Sequence, residues 1–193
     1  MSIEFEVKFR ATDSQLSAIR SAYPAEEETI LMETTYYDTP AGDLAARWYT
    51  LRHRQENDRH VCTLKTPVDD FGRGEFEVEC PRIEDAISEL CKLSGVTELP
   101  DLLARGLVPV CGAKFTRIAK TVTLDNTTVE IALDKGILTG GGKEIPLCEV
   151  EVELKSGDRT AALAFAGILA GKFGLQPEKK SKFRRALALA KGE

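Results

Sequence analysis

The sequence has no long hydrophobic segment. No window approaches the roughly 20 apolar residues that a membrane-spanning helix requires. Residues 1–10 alternate charged with apolar side chains and do not form the continuous apolar region of a secretory signal. The sequence therefore predicts neither a transmembrane segment nor export. We expect a soluble, cytoplasmic protein whose thiols stay reduced.

Residues that bind metals through nitrogen or sulfur are few. There are five cysteines, an odd number with no C-x-x-C pair. The two histidines, His53 and His60, lack the spacing typical of metal ligands. These absences argue against a disulfide framework and against a zinc site.

The sequence has fewer basic than acidic residues. The chain has 26 Lys and Arg against 31 Asp and Glu, which gives a net charge of −5. Because nucleic acid and anionic membranes attract basic proteins, we expect neither as a partner. A polyanion would have to bind in a local basic site.

The sequence does contain strand-like alternation. Residues 3–9, 75–79 and 149–154 place apolar side chains on one face and charged ones, mostly glutamates, on the other. Residues rich in β-branched or aromatic side chains predict further strands at 34–37, 49–54, 61–66, 115–124 and 127–133. The glycines of residues 140–143 lack the spacing of a phosphate loop and predict a hairpin turn.

Helical patterns lie between and after these strands. Asp13 is predicted to cap a first helix that ends at Pro24, and residues 83–93, 99–107, 158–173 and 178–191 have helical periodicity. Regular β-α-β alternation is absent, and 193 residues with 42% hydrophobic content suit one core. We therefore predict a single α+β domain over residues 1–193, with a largely antiparallel sheet covered by the last two helices.

The charged strand faces predict a ligand cavity. Glutamates recur at every second position of residues 4–6, 75–79 and 149–153, and Arg52 and Arg54 share a face of another strand. One such strand alone is typical of a solvated sheet surface, so the prediction rests on the set. If helices cover the apolar faces, the charged faces can line a barrel, which at about eight strands holds a ligand. Carboxylates suit Mg²⁺ or Mn²⁺ and arginines suit phosphate, which predicts a metal-bound phosphate chain.

A series of motifs in the sequence resembles, in type and order, the motifs of the CYTH superfamily, the triphosphate tunnel metalloenzymes. The first motif, Glu4-Phe5-Glu6-Val7-Lys8, is the E-x-E-x-K signature, which is weak by itself. The series continues in the family's order through Tyr36-Tyr37-Asp38-Thr39-Pro40, Leu51-Arg52-His53-Arg54, Thr63-Leu64-Lys65, Arg73-Gly74-Glu75, residues 129–134, residues 148–153, and Ser181-Lys182 followed by Arg185. Because it spans almost the whole chain, the ordered series is specific.

The resemblance implies a closed antiparallel β-barrel of about eight strands, a tunnel, with helices packed outside. It implies catalytic roles for Glu4, Glu6 and Lys8. It implies metal binding by Glu4, Glu6, Glu149, Glu151 and Glu153, with Glu75 and Glu130 as further tunnel acids. It implies triphosphate binding by Lys8, Arg52, Arg54, Lys65, Arg73, Arg117, Lys182 and Arg185. From their positions in the alternation, Lys120 is expected to point away from the lumen and His53 to face outward.

The resemblance also implies Mg²⁺- or Mn²⁺-dependent chemistry on a small triphosphate. The leading expectation is hydrolysis of inorganic triphosphate to diphosphate and phosphate, by a monomer or homodimer. The alternatives are a class IV adenylyl cyclase, a thiamine or nucleoside triphosphatase, and a non-catalytic polyphosphate- or nucleotide-binding module. Such cyclases carry a His-Phe pair shortly before E-x-E-x-K, whereas Met1-Ser2-Ile3 stands here, which favours the triphosphatase.

Overall fold

The computed structural model describes residues 2–24, 26–67 and 73–193, and of residues 2–4 and 73 the backbone alone. These residues form one antiparallel sheet of ten strands, in the order β1-β6-β5-β4-β3-β7-β8-β9-β2-β10. The strands are β1 (Ser2–Glu4), β2 (Glu6–Arg10), β3 (Glu27–Asp38), β4 (Thr50–Glu56), β5 (Arg59–Pro67), β6 (Arg73–Glu79), β7 (Val108–Leu124), β8 (Thr127–Gly140), β9 (Lys143–Ser156) and β10 (Gln176–Pro177). The predicted α+β class with an antiparallel sheet is confirmed.

The N-terminal segment contributes to both ends of the sheet. It was predicted as one strand, but it is divided at Phe5: β1 pairs with β6, and β2 pairs with β9. This division and the two-residue strand β10 explain why ten strands are present where about eight were predicted. Within the described ranges no hydrogen-bonded ladder joins β1 to the opposite end of the sheet. The chain at Phe5 connects the two ends, and the sheet must therefore curve.

Six helices are present in the described ranges: α1 (Asp13–Ala22), α2 (Asp43–Ala46), α3 (Ile83–Ser94), α4 (Leu99–Leu103), α5 (Arg159–Phe173) and α6 (Lys182–Lys191). None of them is long and apolar enough to cross a membrane. The predicted cap of α1 was wrong by one residue, because Thr12 caps it in a reciprocal capping box with Gln15. The last helix begins at Lys182, later than predicted, because the preceding residues form β10 and a Ser181 cap.

Helices cover the apolar outer face of the sheet in two clusters. Helices α1 and α5 pack on β8 and β9, with Ile19 and Leu169 against Ile131 and Val152. Helices α2, α3 and α4 pack on β4, β5 and β6, with Leu44 and Leu90 among the buried residues there. This burial fixes which face of each strand is outer and leaves the charged face as the inner one.

Helix α6 departs from the expectation of helices packed outside, but it agrees with the place in the tunnel that the resemblance implied for Lys182. Phe183 packs against Tyr36 at 5.1 Å between ring centroids and joins a cluster with Met32 and Phe115. Met32, Tyr36 and Phe183 line the inner cavity, so α6 lies against the inner face and obstructs it. Gly140 permits this approach, because a Cβ there would stand 2.4 Å from the Ala186 carbonyl oxygen.

Candidate active site

The inner face of the sheet encloses a cavity of about 660 Å³. Its apolar lining includes Ile30, Met32, Tyr36 and Phe183, and most other lining residues are charged. The acids are Glu6, Glu28, Glu56, Asp58, Glu75, Glu77, Glu130, Glu151 and Glu153, and the bases are Lys8, Arg52, Arg54, Arg59, Lys65, Arg117, Lys155 and Lys182. A cavity lined by both signs of charge, as the strand alternation predicted, is therefore present.

Most of the predicted site residues come together in this cavity. Those that line it are Glu6, Lys8, Arg52, Arg54, Lys65, Glu75, Arg117, Glu130, Glu151, Glu153 and Lys182. Glu149 and Arg185 bond to each other behind the lining. The side chains of Glu4 and Arg73 lie outside the described residues. Lys120 pairs with Glu27 at 3.0 Å, on the side of β7 opposite to Arg117, as expected.

Arg54 is a buried guanidinium with little negative charge around it. Its Nε donates to Thr34 Oγ1 at 3.0 Å, and Nη1 stands 3.7 Å from a Glu56 carboxylate oxygen. Burial lowers the pKa of Arg54 from its usual value, and the nearby Arg52 and Arg117 lower that pKa further. Because a buried cation is costly unless an anion compensates it, this part of the cavity is suited to bind one.

A network of buried ion pairs forms one wall of the cavity. Arg117 donates twice to the buried Asp134, with both bonds at 2.8 Å, and also bonds Glu151. Lys182 reaches Asp134 at 2.7 Å and Glu151 at 2.8 Å, and it also contacts Glu149. Burial opposes the charge on Lys182, but the three carboxylates outweigh it and raise the pKa of the amine. The wall therefore holds Lys182 as a cation at the cavity surface.

Two groups of carboxylates are candidates for a metal site, and their burial and neighbouring cations show which group suits a metal better. Asp134, Glu149 and Glu151 lie close enough together to share an ion. However, Asp134 and Glu149 are fully buried, and the group already contacts Arg117, Lys182 and Arg185. Mg²⁺ keeps several of its waters when bound, so a dry, neutralised group suits it poorly.

The second group is a row across three neighbouring strands. Glu6 on β2 is opposite Glu153 on β9, and Glu153 is opposite Glu130 on β8. All three line the cavity, with side chains 19–24% exposed, and their cations are Lys8 and Lys155. Oxygen ligands that water can reach fit Mg²⁺ or Mn²⁺. The donors present therefore suit the metal, with Glu151 beside them on β9.

Comparison with known proteins identifies the family of this chain. The CYTH domain profile matches residues 2–187. The chain belongs to the CYTH domain family. An inorganic triphosphatase of Haemophilus influenzae is 30% identical over 166 residues, which cover 85% of this CYTH chain and 47% of that protein. The CYTH chain thus spans about half the length of this curated relative.

Solved structures share the fold of this CYTH chain. A putative adenylate cyclase from Bacillus halodurans superposes with a TM-score of 0.68 at 15% identity, covering 95% of this chain and 97% of that one. A putative adenylyl cyclase from Hippeastrum, described as having a dominant triphosphatase activity, has a TM-score of 0.66 at 18% identity, covering 98% and 95%. At these identities the likeness shows the fold alone.

Asp134 is a buried site residue that sequence reasoning missed, as it missed Glu28, Glu56, Asp58, Arg59 and Lys155 of the cavity lining. It lies in the recognised motif of residues 129–134 and shares the inner face with Glu130, four positions before it. The alternation therefore indicated that Asp134 faces inward, but no role was predicted for it. Asp134 lies opposite Arg117 across β7 and β8 and forms ion pairs with both Arg117 and Lys182.

Proposed function

We propose that this CYTH chain is an enzyme that hydrolyses inorganic triphosphate to diphosphate and phosphate with Mg²⁺ or Mn²⁺. The observation that carries the proposal is the position of Arg54. It is a buried cation with Arg52 and Arg117 nearby, and it lines the same cavity as a row of accessible glutamates. A short polyanion that also binds a divalent cation would interact with both the cations and the glutamates.

A closed tunnel within a single domain of residues 1–193 belongs to the proposal. It is supported by the two N-terminal strands, which occupy opposite regions of the strand order with only Phe5 between them. The backbone amide of Leu154 also donates to the Phe5 carbonyl oxygen at 2.9 Å. Such closure would surround a triphosphate with inner-face side chains from several strands.

In this proposal Arg52, Arg54 and Lys65 bind the phosphate groups. The planar guanidinium of each arginine can donate two bonds to one phosphate, which orients the chain for in-line attack. Lys8 bonds Glu6 at 2.7 Å. Burial opposes its charge, but Glu6 and Glu151 outweigh burial and raise the pKa of Lys8. Lys8 is therefore assigned to stabilise negative charge, not to accept a proton.

The metal belongs to the row of Glu6, Glu153 and Glu130, with Glu151 beside it. A bound Mg²⁺ or Mn²⁺ would neutralise the phosphate chain and polarise the attacking water. In the reaction, the oxygen of water would bond to the terminal phosphorus as the bond to the diphosphate oxygen breaks, and the proton that the water loses would pass to a product phosphate oxygen or to solvent. Lys182 and Arg117 lie where they can stabilise charge in the cavity. Glu149, which is itself paired with Arg185, contacts Lys182 from behind.

Inorganic triphosphate is preferred as substrate because the curated relative acts on it by name and because hydrolysis needs no organic group. The test compares inorganic triphosphate with ATP and thiamine triphosphate, each with Mg²⁺ and with Mn²⁺, by phosphate release. Cyclic AMP is followed in the ATP reaction. We expect the highest kcat/KM with inorganic triphosphate. Cyclic AMP as the main product, with inorganic triphosphate inert, would contradict the proposal, and so would binding of every triphosphate without turnover.

A further inference from the structure

The single tryptophan of the chain, Trp48, has a backbone conformation that favours glycine. Its φ is 63°, in the left-handed region, where the Cβ of most residues crowds the backbone. The other non-glycine residues with positive φ in the described ranges are Asn57 and Asp125, types that tolerate it. The Trp48 side chain is 60% exposed, so burial in the core does not explain the strain. A strained residue outside the core indicates a specific role for its side chain.

The Trp48 ring contacts the helix that obstructs the cavity. The guanidinium carbon of Arg184 on α6 lies over the ring, 3.5 Å from its centroid. A cation within about 6 Å of a tryptophan ring is attracted to the ring face, and tryptophan attracts cations more strongly than other aromatic residues do. We call this pair the Trp48–Arg184 contact. Neither of its residues lines the cavity.

The charges of α6 explain why Arg184 needs such a partner. The first turn of α6 contains Lys182, Arg184 and Arg185 and no acid. Positive charge is unfavourable there because it faces the positive end of the helix dipole. Lys182 and Arg185 each form an ion pair with Glu149. Within the described part of the chain Arg184 forms no ion pair, and the Trp48 ring attracts its charge instead.

The Trp48–Arg184 contact joins two elements that supply cations to the cavity. Trp48 lies two residues before Thr50, where β4 begins, and β4 carries Arg52 and Arg54. Its own turn is fixed, because the Trp48 amide donates to the Ala45 carbonyl oxygen at 3.1 Å. On the other side of the contact, Arg184 is two residues after the cavity-lining Lys182. A fixed turn at the start of β4 therefore contacts the first turn of α6.

We propose that Trp48 is a positioning residue that holds the first turn of α6 through Arg184 and so keeps Lys182 in place for triphosphate. Trp48 acts only through α6, because it does not line the cavity itself. Glycine would be less strained at this position, but it would leave Arg184 without the contact. The effect on triphosphate rests on the proposed function, whereas the effect on α6 does not.

Hydrogen–deuterium exchange tests the effect on α6 without measuring activity. Trp48→Gly removes the ring and the strain together, so Tm should not fall. The amides of residues 185–188 should nevertheless exchange about 2–5-fold faster, which corresponds to the loss of an exposed cation–π contact. Unchanged exchange at these amides would overturn the proposal. A lower Tm with faster exchange throughout the sheet would also overturn it, because it would show a general structural role.

Two conservative variants separate the ring from its bulk. Trp48→Tyr keeps an aromatic face and should restore most of the slow exchange in α6. Trp48→Leu keeps an apolar side chain with the same strain but has no such face, so its α6 amides should exchange as fast as in Trp48→Gly. Equal exchange in the tyrosine and leucine variants would contradict a contact based on the ring face.

Kinetics test the effect on the active site. In Trp48→Gly, KM for inorganic triphosphate should rise by up to about fivefold with little change in kcat, since substrate binds the molecules whose Lys182 is in place. Arg184→Ala should have the same effect, and the double variant should show no further rise, because both changes remove one contact. Leu163→Ala, which shortens an exposed side chain on α5, is the control.

The combined outcomes distinguish this proposal from the proposed function. Faster exchange in α6 with an unchanged KM in Trp48→Gly would overturn the role of Trp48 in triphosphate binding. Additive effects of Trp48→Gly and Arg184→Ala on KM would show that Trp48 does not act through Arg184. If the unsubstituted protein does not turn over triphosphate, the proposed function fails, and the exchange measurements still decide whether Trp48 holds α6.

Discussion

Replacing Asp134 with asparagine tests the buried wall of the active site. Asp134 is fully buried and accepts two bonds from Arg117 and one from Lys182, all at 2.7–2.8 Å. Asp134→Asn keeps the shape but leaves Arg117, Lys182 and Arg185 facing two carboxylates instead of three. Breaking a buried ion pair costs about 3–5 kcal/mol. The asparagine amide oxygen still accepts a hydrogen bond. We therefore expect the free energy of unfolding to fall by the lower end of this range, about 3 kcal/mol.

The measurement is thermal unfolding without ligand, supported by urea denaturation. For a chain of this size, about 3 kcal/mol corresponds to a fall in Tm of roughly 6–12 °C. The matched control is Glu33→Gln, which removes the charge of an exposed pair, Glu33 with Lys114 at 3.2 Å. Its Tm should change by less than about 4 °C. If Asp134→Asn changes Tm no more than Glu33→Gln does, the wall is not stabilised as described.

Three further predictions concern the phosphate site, the metal row and pH. Arg54→Lys keeps the charge but loses the two-pronged bond, so kcat/KM for triphosphate should fall about 10–100-fold, with the exposed Arg82→Lys as a control; equal kinetics would exclude Arg54 from phosphate binding. Glu6→Gln should raise the Mg²⁺ concentration needed for half-maximal rate while Tm stays nearly constant, and an unchanged Mg²⁺ requirement would contradict its role. Hydrogen bonds from Arg20 and Lys120 lower the pKa of Glu27 to about 2, from 4.5 when unfolded. Its stabilisation is therefore present above pH 4.5 and is lost as pH falls toward 2, so the Tm difference from Glu27→Gln should shrink over that range.

Period-two alternation was sufficient to predict the charged cavity, because strand geometry alone determines which side chains share a face. Arg52 and Arg54, for example, both line it, as their spacing indicated. The turn between β8 and β9 was also predictable, since Gly141 and Gly142 both adopt positive φ, which glycine tolerates. These features depend on local sequence.

Features that depend on long-range packing were not predictable. The division of the first strand at Phe5 results from pairing with β6 and β9, two strands far apart in the chain. Helix α6 has an amphipathic pattern that fits either face of a sheet. The resemblance favoured the inner face through Lys182 and Arg185, and Gly140 and the contact of Phe183 with Tyr36 place the helix there. Likewise, the contact between the rings of His53 and His60 depends on the register of β4 against β5.

The central claim, metal-dependent hydrolysis inside the charged cavity, is tested most directly by following inorganic triphosphate with ³¹P NMR. The reaction is recorded with Mg²⁺, with EDTA, and with Mg²⁺ restored after EDTA. With Mg²⁺ we expect diphosphate and phosphate to appear in equal amounts. Product formation should stop with EDTA and resume when Mg²⁺ is restored. Equal turnover in EDTA, or no turnover with either Mg²⁺ or Mn²⁺, would contradict the account.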